Sequence, residues 1–202
     1  MSFCESSFEI FNRAIADYHK KDNVDTPICN PYAQSTIENR LYLKNWIDTV
    51  QWHLEDIIRD PEIDPVNALA IKRRIDKSNQ DRTDLVEMID SYFLEQFGSV
   101  KTLADATINT ESPAWAIDRL SILALKIHHM EIEANRTDSA PQVQAKCKEK
   151  LAVLLEQKKD LMQAIDTLLD DMQNGRKYMK VYKQMKMYND TETNPILYAK
   201  KK

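Results

Sequence analysis

The feature that most limits the fold of this chain is its shortage of glycine. Only two glycines occur in 202 residues, Gly98 and Gly175. Glycine supplies the left-handed backbone of tight turns and the close backbone approach of phosphate-binding loops. So few glycines disfavour an α/β enzyme built on glycine-rich phosphate loops, and also a turn-rich β sandwich. The hydrophobic content of 43% is enough for a core in one domain, or one domain with an appendage.

Prolines indicate where helices begin. Asn30–Pro31, Asp64–Pro65 and Ser112–Pro113 each place an N-cap residue before a proline suited to the first helical turn. Gly98 follows an aromatic-rich segment and is expected to cap the end of a helix. The pattern predicts long helices near 3–20, 33–59, 65–97, 113–136 and 141–173, followed by a basic helix near 176–188.

Helices of this length predict an all-α fold, an elongated antiparallel bundle of about five long helices with a basic C-terminal helix or tail. We expect residues 1–173 to form the bundle and residues 174–202 to pack on it or extend from it. Apolar residues recur at alternating spacings of three and four along helices 65–97 and 141–173. Helix 113–136 is apolar on two sides, so we expect it to be central.

Charged residues interrupt two of these apolar stripes, Arg82 in one and Lys158 in the other. An unpaired buried guanidinium is very unfavourable, so Arg82 requires a carboxylate partner or an anionic ligand. A hairpin turn near residue 62 would place Arg82 level with Tyr42, about 20 Å from Glu55 at 1.5 Å per residue. We therefore expect Glu55 and Asp56 to lie near 66–71, and Arg82 to pair with an acid from another helix, Glu131 being the first candidate.

Three of the four histidines occur in the stretches QWHLEDIIRD and IHHMEIE, where each has an acid three or four residues further on. Di-iron carboxylate bundles use a related pattern, Glu-x-x-His, but here the order is reversed. On helix 33–59, His53 and Glu55 lie on opposite shoulders of the apolar arc that we expect in the core, which consists of Leu43, Trp46, Ile47, Val50, Leu54, Ile57 and Ile58. We predict no metal and no cofactor, with His53, His128 and His129 not converging on one ion. A motif for nucleophilic catalysis is not evident either.

The charge of the chain is uneven. Its net charge is −4, but residues 174–202 carry eight Lys/Arg and two Asp/Glu, a net of +6, so the remainder carries −10. A basic tail predicts an anionic partner, or docking of the tail on the acidic body. The tail residues expected to bind an anion or a partner are Arg176, Lys177, Lys180, Lys183 and Lys186. Three scattered cysteines and the lack of a signal peptide or membrane span predict a cytoplasmic protein.

Three segments carry a resemblance to a known family: QWHLEDIIRDPEID, KRRIDKSNQDRTDLVEMID and YMKVYKQMKMYNDTETNPILY. They are similar to a bacterial family known as domain of unknown function family 4254. The family has no established activity, and the resemblance implies only that its genes lie near glycosyltransferases of cell-envelope glycan synthesis. The residues that match its pattern are Trp52, Glu55, Asp56, Arg59, Asp76, Asn79 and Arg82.

Two functions are consistent with these observations. The first is a non-enzymatic adaptor bundle that docks on a protein partner, since Tyr and Met alternate with Lys in the tail. The alternative is a binding or catalytic pocket for a phosphate-bearing small molecule, with Asn79 and Arg82 as its floor and the basic tail as its lid. The sequence leaves open whether the protein is an enzyme and whether the polar cluster is structural. It disfavours nucleic acid and is compatible with a homodimer.

Overall fold

The structure of the chain is a computed structural model that describes residues 1–183, 187 and 190–199. Within these residues it is a bundle of helices with one pair of two-residue strands, which confirms the predicted all-α class. No helix in the described part has the length and apolar character needed to cross a membrane. The elements are α1 (Phe3–His19), α2 (Ile37–Ile58), α3 (Pro65–Phe97), β1 (Thr107–Ile108), α4 (Pro113–Asn135), α5 (Pro141–Gln173), β2 (Lys177–Tyr178) and the single-turn α6 (Pro195–Tyr198).

Side-chain caps fix the helix starts. The Asp64 carboxylate accepts hydrogen bonds from two backbone N–H groups of the first turn of α3, both at 3.0 Å, and Ser112 caps α4. The start predicted at Asn30 is wrong. Asn30 instead stabilises a turn by accepting from the N–H of Tyr32 at 3.1 Å, and Thr36 caps α2 six residues later.

The α4 helix is central, as predicted, because it contacts all four other long helices. Its buried residues lie on several sides and include Ile117, Leu120 and Leu125. The stripe predicted on α3 is also present, with Ile75, Leu85 and Ile89 buried.

Lys158 interrupts the apolar stripe of α5, and an aromatic contact accommodates its charge. Its ammonium nitrogen lies 3.8 Å from the centre of the Phe8 ring on α1. A cation over an aromatic face is attracted by the ring quadrupole, so this lysine joins α5 to α1 without a carboxylate.

The buried face of α2 differs from the predicted apolar arc. Leu43, Ile47 and Val50, expected in the core, instead line an open groove of about 560 Å³ between α2, α3 and the 24–28 segment. The face that packs on α1 and α4 is polar in its middle. Its buried residues are Leu41, Tyr42, Lys44, Asn45, Trp46, Asp48, Thr49 and Leu54.

The basic helix predicted near 176–188 is wrong in its described part. Gly175 has a φ of 69°, which ends α5, and its carbonyl accepts a hydrogen bond from the N–H of Leu103 at 2.9 Å. The chain then pairs in parallel with β1, Thr107 opposite Lys177. The connection thus continues as an extended segment because backbone partners from the 103–109 loop replace helical hydrogen bonds.

Candidate functional site

The interior of the bundle contains a network of charged side chains from three helices. Lys44 on α2 is fully buried and contacts the carboxylates of Asp48, one turn further along α2, and of Asp118 on α4, the latter at 2.9 Å. Arg82 on α3 forms a two-point interaction with Asp118, from Nε at 3.0 Å and from Nη2 at 3.2 Å. Two cations thus balance two carboxylates, which is the condition for burying such groups.

Neutral polar groups extend this network. The Ser121 hydroxyl donates to Asp48 at 2.6 Å, and the amide of Asn45 donates to Ser121 at 3.0 Å. Burial raises the pKa of Asp48, while Lys44 and the Ser121 hydroxyl oppose that shift by favouring the carboxylate. The ionised state of Asp48 therefore depends on its neighbours.

The expectation that Arg82 pairs with an acid from another helix is confirmed, but the partner is Asp118 and not Glu131. Glu131 is exposed and lies farther along α4. The estimated register was also wrong. The amide of Gln51 donates to Asn79 at 2.9 Å, which places residue 48 level with Arg82. The first two turns of α3 extend past the end of α2, so Arg82 lies closer to Glu55 than the 20 Å expected.

A cavity of about 350 Å³ lies over this network. Five of the seven residues that carry the family resemblance line it: Trp52, Glu55, Asp56, Arg59 and Arg82. The other lining residues are Asp48, Gln51, Ile122 and Leu125. We call this space the Trp52 cavity.

The Trp52 cavity combines an apolar wall with charges of both signs. Glu55 and Arg59 form an ion pair at its rim, with an N–O distance of 3.3 Å. The Arg82 side chain is 27% exposed, and Asp118 occupies its Nε and Nη2. The two N–H groups of its Nη1 and the second N–H of its Nη2 are the donors that Asp118 does not take. The arrangement can therefore bind both hydroxyl groups and an anionic group.

The other predicted polar residues lie outside the cavity. Asn79 supports its wall indirectly, through Gln51. Asp76 is exposed and pairs with Lys72 along the surface of α3. The expected position of Glu55 and Asp56 near 66–71 is wrong, since the Gln51–Asn79 register places them level with about residues 74–75.

Of the basic tail, the described residues do not line the Trp52 cavity. Arg176 pairs with Asp170 and Asp171 at the end of α5, and Lys177 contacts Asp171 at 3.3 Å. These ion pairs join the start of the tail to the end of the helix that directly precedes it. Lys180 and Lys183 are exposed, and Lys186 lies outside the described residues.

The histidines converge, contrary to the sequence-based expectation. One ring nitrogen from each of His19, His53 and His129 lies within 4.8 Å of the other two. The His128 ring centre is 4.6 Å from that of His19. The separate stretches meet because the end of α1, the end of α2 and the second half of α4 pack together at one place.

These rings are held by aromatic contacts. His129 stacks on Trp52 with a centroid distance of 4.6 Å and an interplanar angle of 7°, and His53 stacks on Tyr18 at 5.0 Å. Burial lowers the pKa of His53 and His128, and lowers that of His129 to about 4. At neutral pH the His129 ring is therefore uncharged and retains a lone pair.

Sequence reasoning missed Lys44, Asp48, Asp118, His19 and Asp22. Lys44 and Asp48 have the i,i+4 spacing of a helical ion pair, but the same spacing at Lys77 and Asp81 gives an exposed pair. Only burial distinguishes the two pairs, and the spacing does not report burial. The carboxylate of Asp22 lies 3.8 Å from the His53 ring nitrogen and 4.0 Å from that of His19.

The protein is thus an all-α bundle with a buried charged network below a half-open polar cavity. The family model described as "Protein of unknown function (DUF4254)" matches residues 38–181, so the chain belongs to this family. The match covers the network and the Trp52 cavity, whereas His19 and Asp22 precede it. No curated protein and no solved structure matches the chain.

Proposed function

We propose that the protein binds a small phosphate-bearing sugar in the Trp52 cavity. The observation that supports this is the convergence of Trp52, Glu55, Asp56, Arg59 and Arg82 on one cavity. An indole provides a flat apolar surface for the C–H face of a sugar ring. Carboxylates accept hydrogen bonds from sugar hydroxyl groups, and guanidinium groups bind phosphate oxygens.

The volume of the cavity favours a monosaccharide phosphate over a nucleotide sugar. At about 350 Å³ it lies near the lower limit of small-molecule pockets, which span roughly 300–1,000 Å³. A nucleotide sugar would extend beyond the rim, toward the Glu55–Arg59 pair. We assign the phosphate to the guanidinium groups of Arg59 and Arg82. The sugar hydroxyl groups are assigned to the carboxylates of Glu55 and Asp56.

Calorimetric titration and thermal denaturation with hexose phosphates, the parent hexoses and inorganic phosphate test this function. We expect a hexose phosphate to raise the melting temperature, and the hexose or phosphate alone to bind more weakly. The variants Arg59→Gln and Trp52→Ala should weaken binding about 10-fold or more, the equivalent of about 1.4 kcal/mol. Arg73→Gln, at an exposed arginine of α3, is the control. Equal binding by Arg59→Gln, Trp52→Ala and the control would contradict the proposal, as would the absence of binding.

A second candidate function, protein docking, is supported by a different feature. The open groove lined by Leu43, Ile47 and Val50 presents an apolar surface between α2 and α3, and charged residues of α3 border it. Grooves of this kind accept the apolar face of an amphipathic helix. We propose such a helix of a protein partner as the occupant. That this partner is a glycan-synthesis enzyme is what the family resemblance implies, and the cytoplasmic location remains a prediction from the sequence.

A photo-crosslinking amino acid at Leu43 tests the docking surface in cells. We expect a discrete adduct that is lost when Ile47→Asp is added in the groove, and no such adduct from Val153 on the exposed side of α5. An adduct whose mass equals two copies of this chain would assign the groove to a homodimer instead. Failure to form any groove-dependent adduct would refute docking.

A further inference from the structure

All four histidines of the chain lie in one cluster, formed by His19 of α1, His53 of α2 and the adjacent pair His128 and His129 of α4. Packing alone does not require this, because histidine is only intermediate among residues in its tendency to be buried. Three separate helices bring their imidazoles together, and Asp22 follows α1 directly. The arrangement therefore calls for an explanation in terms of imidazole chemistry.

We infer that His19, His53, His129 and Asp22 bind a divalent transition-metal ion, with Zn²⁺ as the best fit. One ring nitrogen from each histidine lies within 4.8 Å of the other two. The Nε2 atoms of His19 and His53 are 3.3 Å apart. Two ligands at 2.0–2.1 Å from a tetrahedral ion lie roughly 3.3–3.4 Å apart, so this pair already has the separation that zinc requires.

The orientation of His19 is consistent with a metal ligand. Its Nδ1 lies 2.7 Å from the carbonyl oxygen of Ile15, to which it donates in the tautomer protonated at Nδ1. In that tautomer the lone pair is on Nε2, the atom that lies next to His53. A backbone carbonyl that holds the other ring nitrogen in this way is the usual outer partner of a metal-bound histidine.

His129 supplies an available nitrogen. Its Nε2 is buried and has no hydrogen-bond partner among the described residues, and the same holds for Nε2 of His128. A buried polar atom without a partner is unfavourable, and a bound ion would give the His129 nitrogen one. The ring is fixed by its stacking on Trp52, which also lines the Trp52 cavity.

Asp22 provides the anionic ligand. Because its side chain is largely exposed, the site is open to solvent on this side. Its carboxylate oxygen lies 3.8 Å from Nε2 of His53 and 4.0 Å from Nε2 of His19, and its side chain is 60% exposed. Asp22 is also the only non-glycine residue with positive φ in the described part of the chain, at 48°. Three imidazoles and one carboxylate suit Zn²⁺ or a neighbouring late first-row ion, whereas Mg²⁺ and Ca²⁺ prefer oxygen ligands.

The test uses the full chain without a histidine tag, stripped with a chelator and titrated with Zn²⁺ by calorimetry. Metal content after dialysis gives the stoichiometry, and Co²⁺ substitution reports the ligand geometry through its visible ligand-field bands. We expect one ion per chain, with binding that weakens as the pH falls because protons compete for the imidazoles.

Variants assign the ligands. The double variant His53→Gln/His129→Gln should lose stoichiometric binding. His19→Gln and Asp22→Asn should each reduce the affinity by at least about 10-fold, the lower end of the loss seen even for outer partners of a metal ligand. Asparagine tolerates positive φ, so Asp22→Asn should preserve the loop. Asp105→Asn is the control, since Asp105 is exposed in the loop before β1 and about 16 residues, roughly 24 Å, of α4 separate Pro113 from His129.

Each outcome decides the proposal. A wild-type chain that retains no Zn²⁺ overturns it, and so does a double variant that keeps the wild-type affinity. Circular dichroism checks the fold of every variant. If the double variant fails to fold, His19→Gln and Asp22→Asn decide: unchanged affinity in either variant refutes the site as proposed, and a loss in both with the control unchanged supports it.

Discussion

The buried lysine of the charged network gives the sharpest prediction about stability. Lys44→Met removes the ammonium group and keeps a side chain of similar length and volume. In the folded protein Lys44 is fully buried and contacts Asp48 and Asp118. After the substitution, two buried carboxylates share only Arg82, which leaves one negative charge unbalanced. The fold should therefore lose much more stability than a surface lysine provides.

The contacts set the size of the effect. At 4 Å and an effective dielectric constant of 20, one pair of unit charges attracts by about 4 kcal/mol, and Lys44 contacts two carboxylates. Desolvation of the lysine offsets several kcal/mol of that attraction. Loss of one partner of a buried pair costs about 3–5 kcal/mol, which we adopt as the expected loss in the free energy of unfolding. Against a total of roughly 5–15 kcal/mol, the variant should remain folded but marginal.

Equilibrium unfolding in urea measures this, and Lys77→Met is the matched control. Lys77 and Asp81 repeat the i,i+4 geometry of Lys44 and Asp48, but on the exposed side of α3. We expect the control to lose about 0–1 kcal/mol. If Lys44→Met loses no more free energy of unfolding than Lys77→Met, the buried charged network does not stabilise the fold.

The loss should also depend on pH. Burial raises the pKa of Asp48, and Lys44 opposes that shift, so the pKa should rise further in Lys44→Met. A carboxyl whose folded pKa exceeds its unfolded value contributes stability below the unfolded pKa, and this is lost as the pH rises through the folded pKa. The difference in the free energy of unfolding between the wild type and Lys44→Met should therefore narrow as the pH is lowered from 8 toward 5. The double variant Lys44→Met/Asp48→Asn should recover roughly 1–3 kcal/mol.

Two further predictions concern the backbone. Gly175→Ala should lower the free energy of unfolding by about 1–3 kcal/mol, because the φ of 69° is strained for alanine and the added Cβ would lie 2.5 Å from the carbonyl oxygen of Lys101. A loss below about 0.5 kcal/mol in urea unfolding would contradict this close approach. Ala140→Asp should stabilise by about 0.5–2 kcal/mol, because the N-cap of α5 has no side-chain hydrogen bond. Asp64→Ala, which removes the cap of α3, should cost a similar amount, and shifts of the same sign in both variants would refute the capping argument.

The long helices could be predicted from the sequence because their signals are local. Asp64 and Ser112 identify helix starts through hydrogen bonds to residues two or three positions away. The exceptions have specific causes. Asn30 precedes a proline as those caps do, but its side chain bonds within a turn, and the segment after Gly175 pairs with a loop about 70 residues earlier.

The charged network could be predicted only in part. That Arg82 must meet an acid follows from its place in an apolar stripe, but the choice of Asp118 follows from how α3 and α4 cross. The buried face of α2 differs from the predicted apolar arc for a related reason. Leu43, Ile47 and Val50 of its apolar arc line a groove, and its polar face is buried because charges from α3 and α4 meet it there.

The sequence by itself determined the helical class, the positions of four of the long helices to within a residue or two, and the need for a counter-charge at Arg82. These depend on hydrogen bonds and side-chain periodicity within one segment. Only the tertiary structure brought Trp52, Glu55 and Arg82 onto one cavity and His19, His53 and His129 into one cluster. The physical reason is that a few residues of register between packed helices move a side chain by several ångströms. No local pattern reports that register.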